Sequence, residues 1–289
     1  MTAARRTAPP GAPPPTPPRR APLRLGLIGL GAIGRDVLTA LQSGQIADMV
    51  CPAVLVRRPR PAAPAGSPGP LVTAAADAFF AHPCDVVLEV AGHAAVREHA
   101  VRALEAGADL LVTSVGAFAD PALLERVLAA AQAAGRRVIL PSAGVGALDM
   151  LAGAAVGGLD EVVMTVRKDA ASWKGTVAER QHDLDALREP VLLYDGPARG
   201  GAAAYPQNVN ISAAVSLAGL GLDRTRLRIW ADPGEHPHIV EVEARGRFGR
   251  FSFREEVAAS PENRKTGLIV AMAVIKTLRQ LTSPLVIGH

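Results

Sequence analysis

The sequence predicts an α/β fold, in which a doubly wound parallel sheet precedes an α+β domain with a mostly antiparallel sheet. Three observations predict it. First, apolar runs at residues 25–30, 50–56, 85–90, 110–113 and 137–140 alternate with segments of helical apolar spacing at 34–41, 94–106 and 121–134. Strands that alternate with helices pair in parallel. Second, the apolar period falls to two at residues 161–167, 226–231, 240–244 and 248–253, with Gly246 supplying a turn. Short alternating strands of this kind pair mostly antiparallel and leave one face to water or a partner. Third, residues 260–281 return to a helical period, with Ser260-Pro261-Glu262 as cap and first turn.

Each element then has a local reason. Residues 1–22 are rich in proline, alanine and arginine, cannot bury a core, and are expected to form a disordered tail. The first apolar run leads into Gly29-Leu30-Gly31-Ala32-Ile33-Gly34, and Val37, Leu38 and Leu41 follow with helical spacing. A strand that turns through three glycines into a helix is the phosphate-binding turn of a Rossmann sheet. Gly29 permits the tight turn, Gly31 lets a pyrophosphate approach the backbone, and Gly34 lets helix and strand pack closely. The motif alone is a weak signal; the strand before it and the helix after it give it weight. The alternative is a glycine-rich turn that binds nothing. The expected division is a Rossmann domain at 23–147, a catalytic and dimerisation domain at 148–259, and a last helix at 260–289 that packs back on the first domain.

Composition narrows the function classes. With 289 residues, 49% hydrophobic and 20% charged, the chain is long enough for one large or two modest cores. Aromatics make up only 3%, so Ala, Val and Leu must fill those cores. The net charge of +4 owes much to Arg5, Arg6, Arg19 and Arg20 in the tail. No basic stripe with interleaved aromatics follows, which argues against nucleic acid. No apolar run approaches a membrane span, and residues 1–22 lack the apolar middle of a secretory signal. Cys51 and Cys84 have no metal-type spacing and read as buried reduced thiols, nothing suggests a metal, and a cytoplasmic enzyme is the expectation.

The second strand ends Leu55-Val56-Arg57-Arg58, with no acid until Asp77. An acid there holds the ribose diol of NAD, whereas arginine accommodates the extra phosphate of NADP through its bidentate fork. NADP is therefore the favoured cofactor over NAD, and the alternative is that Arg57 and Arg58 are solvated loop charges.

Further polar or glycine-bearing segments follow the strands, where ligands of such sheets gather. They are Glu89-Val90-Ala91-Gly92-His93, Thr113-Ser114-Val115-Gly116-Ala117, the run from Pro141 to Asp149 containing Gly144, and Tyr205-Pro206-Gln207-Asn208-Val209-Asn210. Ala231-Asp232-Pro233 and His236-Pro237-His238 complete the set. In this order and combination the sequence resembles the L-aspartate dehydrogenase family from residue 23 to residue 281. The family pattern includes the glycine turn, SVGA, a PSGAxGGLD-like run, (F/Y)PxNVNxxA, ADPxxxxxxH and a late NxKTS-like segment, matched here by Asn263–Thr266. It departs at His236, where the family has asparagine, at Ala143 and Ala147, at Lys168-Asp169-Ala170 and at Lys265-Thr266-Gly267. These departures bear on the substrate more than on the reaction class.

The resemblance implies oxidative deamination of L-aspartate to oxaloacetate and ammonia through iminoaspartate, or its reverse, with NAD or NADP; the iminoaspartate can feed NAD synthesis. It places the catalytic histidine at His238 and a cofactor contact at Asn208. The cofactor set is then Gly29, Gly31, Ala32, Ile33, Gly34, Arg57, Arg58, Ala91, Gly92, Ala117, Gly144 and Asn208. An imidazole suits proton transfer near neutrality. A dicarboxylate needs cations or amide donors, so Lys168 and Lys265 are substrate candidates with His236 and Asn210, while Arg264 reads as a surface charge. Asn210 reads equally as the cap of a helix at 211–220. Glu89 reads either as an acid near the nicotinamide ribose or as a strand-end group contacting backbone, and Asp232 as a turn residue. A homodimer through the open face of the second sheet is expected. The competing functions are a reductase of homoserine dehydrogenase or dihydrodipicolinate reductase type and a non-catalytic NADP-binding sensor.

Overall fold

A computed structural model describes residues 21–58, 69–205, 209–234, 237–258 and 268–288. Most of the N-terminal tail, most of the loop after Arg58, the expected cap Ser260-Pro261-Glu262 and the segment Asn263–Thr266 lie outside the described residues. The first half runs β1 (Leu23–Ile28), α1 (Ala32–Gln42), β2 (Met49–Leu55), β3 (Leu71–Thr73), α2 (Ala76–Phe80) and β4 (Val86–Glu89). It continues with α3 (His93–Glu105), β5 (Asp109–Val112), α4 (Pro121–Ala134) and β6 (Val138–Ile139). The strands form one sheet in the order β3-β2-β1-β4-β5-β6, with every pairing parallel. Chain order reverses between β1 and β4. That reversal opens a crevice at the carboxyl ends of those strands, where ligands of open parallel sheets bind.

Local chemistry sets these elements. The last four residues of β1 and all of β4 and β5 are buried, as expected of strands covered on both faces. Helix α4 has Pro121 in its first turn. Asp120 caps it by accepting from the Ala122 and Leu123 N–H groups, and Gly135 ends it with left-handed φ of 61°.

The second half runs α5 (Leu148–Gly157), β7 (Leu159–Asp169), α6 (Ala178–Gln181), β8 (Val191–Pro197), α7 (Ala198–Ala204), α8 (Val209–Ala218), β9 (Arg226–Asp232), β10 (His238–Gly246), β11 (Gly249–Val257) and α9 (Leu268–Thr282). Its sheet has the order β11-β10-β7-β9-β8. Three pairings are antiparallel, but β7 and β9 run parallel. The reason is connection length. The two-residue link Arg247-Phe248 forces β10 and β11 into a hairpin, whereas the long crossover between β7 and β9 lets the chain return in the same direction. Phe248, expected to open the last strand, sits in this turn instead.

Alternation gives this sheet two unlike faces. Val162, Met164 and Val166 of β7, Leu227 and Ile229 of β9, and Val240 and Val242 of β10 point into the core. Arg228, Trp230, Glu241, Glu243 and Arg254 lie on the opposite, partly exposed face. The core has two parts. One joins α2, α3 and α4 to the buried face of the second sheet in a single apolar cluster. The other lies between the first sheet, α1 and α9, where Val274 and Leu278 meet Val37 and Ala40. The first cluster is continuous across both sheets, so packing sets their mutual position.

Candidate active site

The crevice between the two sheets is a cleft of about 420 Å³. On one side stand Gly31, Ala32 and Ile33, where α1 begins; on the other stand Lys168 of β7 and His238 of β10. Gly29 and Gly34 are buried behind the turn. Gly29 has φ of +107°, and a Cβ there would lie 2.9 Å from the Val90 carbonyl. A Cβ on Gly34 would strike the Gly29 carbonyl oxygen. A Cβ on Gly31, by contrast, would meet no atom within 4 Å, so it would project into the cleft. Helix α1 begins here with no side-chain cap and no acidic residue in its first turn. Backbone N–H groups and the positive helix end therefore face the open side of the turn, which fits a pyrophosphate.

The neighbouring turns are organised by Glu89, which is 1% exposed. Its carboxylate accepts from the N–H groups of Ala91 and Gly92 at 2.7 Å each and from Ser114 Oγ at 2.9 Å and Ser114 N–H at 3.1 Å. Burial pushes its pKa up, against the pull of these bonds. Of the two readings of Glu89, the contacts match the strand-end group. Ala91 and Gly92 border the cleft, but their N–H groups are already engaged by Glu89.

Three expectations need correction. Ala117 has no exposed surface and packs in the core; Thr113, Ser114 and Val115 form the wall in its place, because residues 115–119 turn inward as a short 3-10 helix. Asn210 is not a helix cap, because α8 starts one residue earlier. Its Oδ1 instead accepts the Gly116 N–H at 2.9 Å and lies 2.8 Å from His93 Nε2, tying α8 to the first sheet's turns. Asp232 is also no turn residue. It ends β9 with 6% exposure, and its carboxylate takes a two-pronged ion pair from Arg167.

Strand register brings Lys168 and His238 to the same wall of the cleft. The β10–β7 ladder pairs Ile239 with Arg167, and one further step along it sets His238 opposite Lys168. Directly opposed residues on antiparallel strands share a face. Burial pushes the Lys168 ammonium down to about 8, and its Nζ lies 5.5 Å from the centre of the Trp173 ring. His238 Nε2 lies 3.3 Å from Ser172 Oγ. Gly144 also lines the cleft. Arg57 and Arg58 are exposed in the bend after β2 and do not line it. Asn208, His236, Arg264 and Lys265 lie outside the described residues.

Sequence reasoning passed over Ser172, and named His93 in a strand-end segment without giving it a role. The spacing of Asp169 and Ser172 is a turn signal readable in sequence, but the contact with a histidine 66 residues away is not.

Residues 149–281 match a family described as "Aspartate dehydrogenase, C-terminal", and residues 29–141 one described as "Homoserine dehydrogenase, NAD binding domain". The L-aspartate dehydrogenase of Cupriavidus necator is 44% identical over 259 residues, which cover 89% of this chain and 96% of that protein. The chain belongs to the L-aspartate dehydrogenase family. The family's representative in Ralstonia pickettii is 43% identical over the same shares of the two chains, and that of Pseudomonas aeruginosa is 39% identical. Among solved structures, the aspartate dehydrogenase of Thermotoga maritima shares this fold with a TM-score of 0.73 at 22% identity, over 92% of this chain and 99% of that one. The dipicolinate-bound dihydrodipicolinate reductase of Paenisporosarcina shares it more loosely, with a TM-score of 0.51 at 14% identity, over 90% and 94%. Membership of this dehydrogenase family, with a matched NAD-binding domain, makes the cofactor a nicotinamide dinucleotide.

Proposed function

We propose that the protein is an L-aspartate dehydrogenase that deaminates L-aspartate to oxaloacetate and ammonia through iminoaspartate, and catalyses the reverse reductive amination. The observation that carries this reading is that Lys168 and His238 stand together on the wall opposite the glycine turn. In this reading residues 23–147 bind the cofactor, residues 148–259 hold the substrate and the dimer contact, and the chain from 260 closes back on the first part. The bound nicotinamide supplies the hydride acceptor.

Gly29, Gly31 and Gly34 shape the cradle, Ala32 and Ile33 present the helix end, and Ala91, Gly92 and Gly144 border the nicotinamide side. The Lys168 ammonium pairs with a substrate carboxylate, and Asn210, Lys265 and His236 serve the rest of the substrate. His238 takes a proton from the water that attacks the iminium carbon and returns one to the departing amine. Asn208 contacts the cofactor. Arg57 and Arg58 receive the NADP phosphate, so NADP is preferred to NAD. Replacing both with Asp and Ser should weaken NADP far more than NAD, and equal loss would sink the preference.

A second copy of the chain covers the outward face of the second sheet, where Trp230 stands with the Arg167 guanidinium 5.2 Å from its ring centre. The free thiols Cys51 and Cys84 suit a reducing compartment such as the cytoplasm. Among the described residues, no helix is long and apolar enough to cross a membrane.

The deciding experiment is a panel of L-amino acids with NADP and with NAD, and of 2-oxo acids with ammonia in reverse, followed by the absorbance of the reduced nicotinamide. Turnover confined to aspartate and oxaloacetate is expected. Cofactor binding without turnover would identify a sensor, and turnover of homoserine in place of aspartate would overturn the assignment.

A further inference from the structure

The segment after β7 serves the cleft twice. Lys168 lines it directly. Asp169 then caps a short 3-10 turn, Ala170–Trp173, by accepting the Ser172 N–H at 2.7 Å. The far end of the turn is held by Trp173, which is fully buried and packs edge-on against Tyr205 with ring centres 5.6 Å apart. Ser172 is thus fixed from both sides, and its hydroxyl faces His238 Nε2. It does not itself line the cleft. His238 is the first residue of β10, so the ladder restrains its backbone from one side only.

We propose that Ser172 is a positioning residue that holds the His238 imidazole in its working orientation while the ring gains and loses its proton. The idea rests on His238 being the proton carrier. A hydroxyl is the partner such a ring needs, because it donates to Nε2 when that atom is bare and accepts from it when it is protonated. A carboxylate would bind only the protonated atom and would favour the charged ring. The 3.3 Å separation is long for such a bond, and catalytic hydrogen bonds often tighten when substrate binds.

The test is kinetic. Ser172→Ala should lower kcat roughly tenfold or more, leave the KM for aspartate and the cofactor affinity within about twofold, and move the acidic limb of the pH profile. Ser172→Thr, which keeps the hydroxyl, should recover most of kcat. The near-isosteric Ser172→Cys, a weak donor, should fall as the alanine variant does, and it decides the matter if alanine does not fold. In a His238→Ala background, Ser172→Ala should cost nothing more, since there is no ring left to hold. Wild-type kcat and pH profile in Ser172→Ala and Ser172→Cys would overturn the proposal, as would an equal loss in the His238→Ala background. Normal turnover by His238→Ala alone overturns the reading of His238 itself, which separates the two failures.

Discussion

At the scale of single residues, the site turns on two groups whose environments differ. His238 has a hydroxyl neighbour and an opposed ammonium, an arrangement suited to passing protons. His238→Ala should lower kcat roughly a hundredfold, measured with saturating aspartate, and near-normal turnover would remove it from the mechanism. Lys168 is buried, and the loss of water around its ammonium holds its pKa at about 8, against the pull of Asp169. The ammonium is present below that pH and lost above it. Aspartate affinity should therefore weaken as pH rises through about 8, as an increase in KM, and Lys168→Met should abolish that dependence. A KM that stays flat across this range in the wild-type enzyme would show that Lys168 does not hold the carboxylate. His238 was legible in the sequence through its motif, and Lys168 as a candidate cation. Their opposition was not, because it depends on the register between two strands far apart in the chain.

At the scale of elements, the glycine turn separates stability from binding. Gly29 carries positive φ and has the Val90 backbone against it, so Gly29→Ala should cost about 1–3 kcal/mol of stability. Gly31 faces open space with ordinary φ of −78°. Gly31→Ala should leave the melting temperature almost unchanged, yet lower cofactor affinity at least tenfold, because its methyl group occupies the approach of the pyrophosphate. Fluorescence titration with the reduced cofactor, beside thermal unfolding, separates the two effects. Elements with strong signals were legible: α4, with its Asp120 cap and Gly135 stop, matches the range read from sequence. Helix α5 and strand β8 were not. Leu148–Gly157 is nearly all small or apolar and shows no one-sided period, and Val191–Pro197 is a short edge strand whose exposure is mixed along its length. The parallel pairing of β7 and β9 was equally hidden, since alternation reports a buried face and not a direction.

At the scale of the whole molecule, the site exists only where two sheets meet. Asn210 draws α8 to the turns after β4 and β5 through Gly116 and His93, and the shared apolar cluster holds that approach. Asn210→Ala should loosen it, raising the KM values for aspartate and cofactor together, with a smaller fall in kcat. A change in aspartate KM alone would make Asn210 a substrate contact and no more. The outward face of the second sheet should pair with a second copy of the chain. Sedimentation equilibrium should report twice the chain mass, and Trp230→Glu should shift it towards the monomer; a wild-type monomer would end the dimer proposal.

By itself the sequence determined the alternation of strands and helices, the glycine turn, and the ordered motifs that mark the dehydrogenase family. These are local properties: periodicity, turn chemistry and spacing along one chain. The tertiary structure decided which residues share the cleft. It set His238 across from Lys168, put Ser172 behind the imidazole, turned Glu89 into the organiser of two turns, and withdrew Ala117 into the core. Each of these depends on strand register or on packing between residues distant in sequence, and no local pattern encodes either.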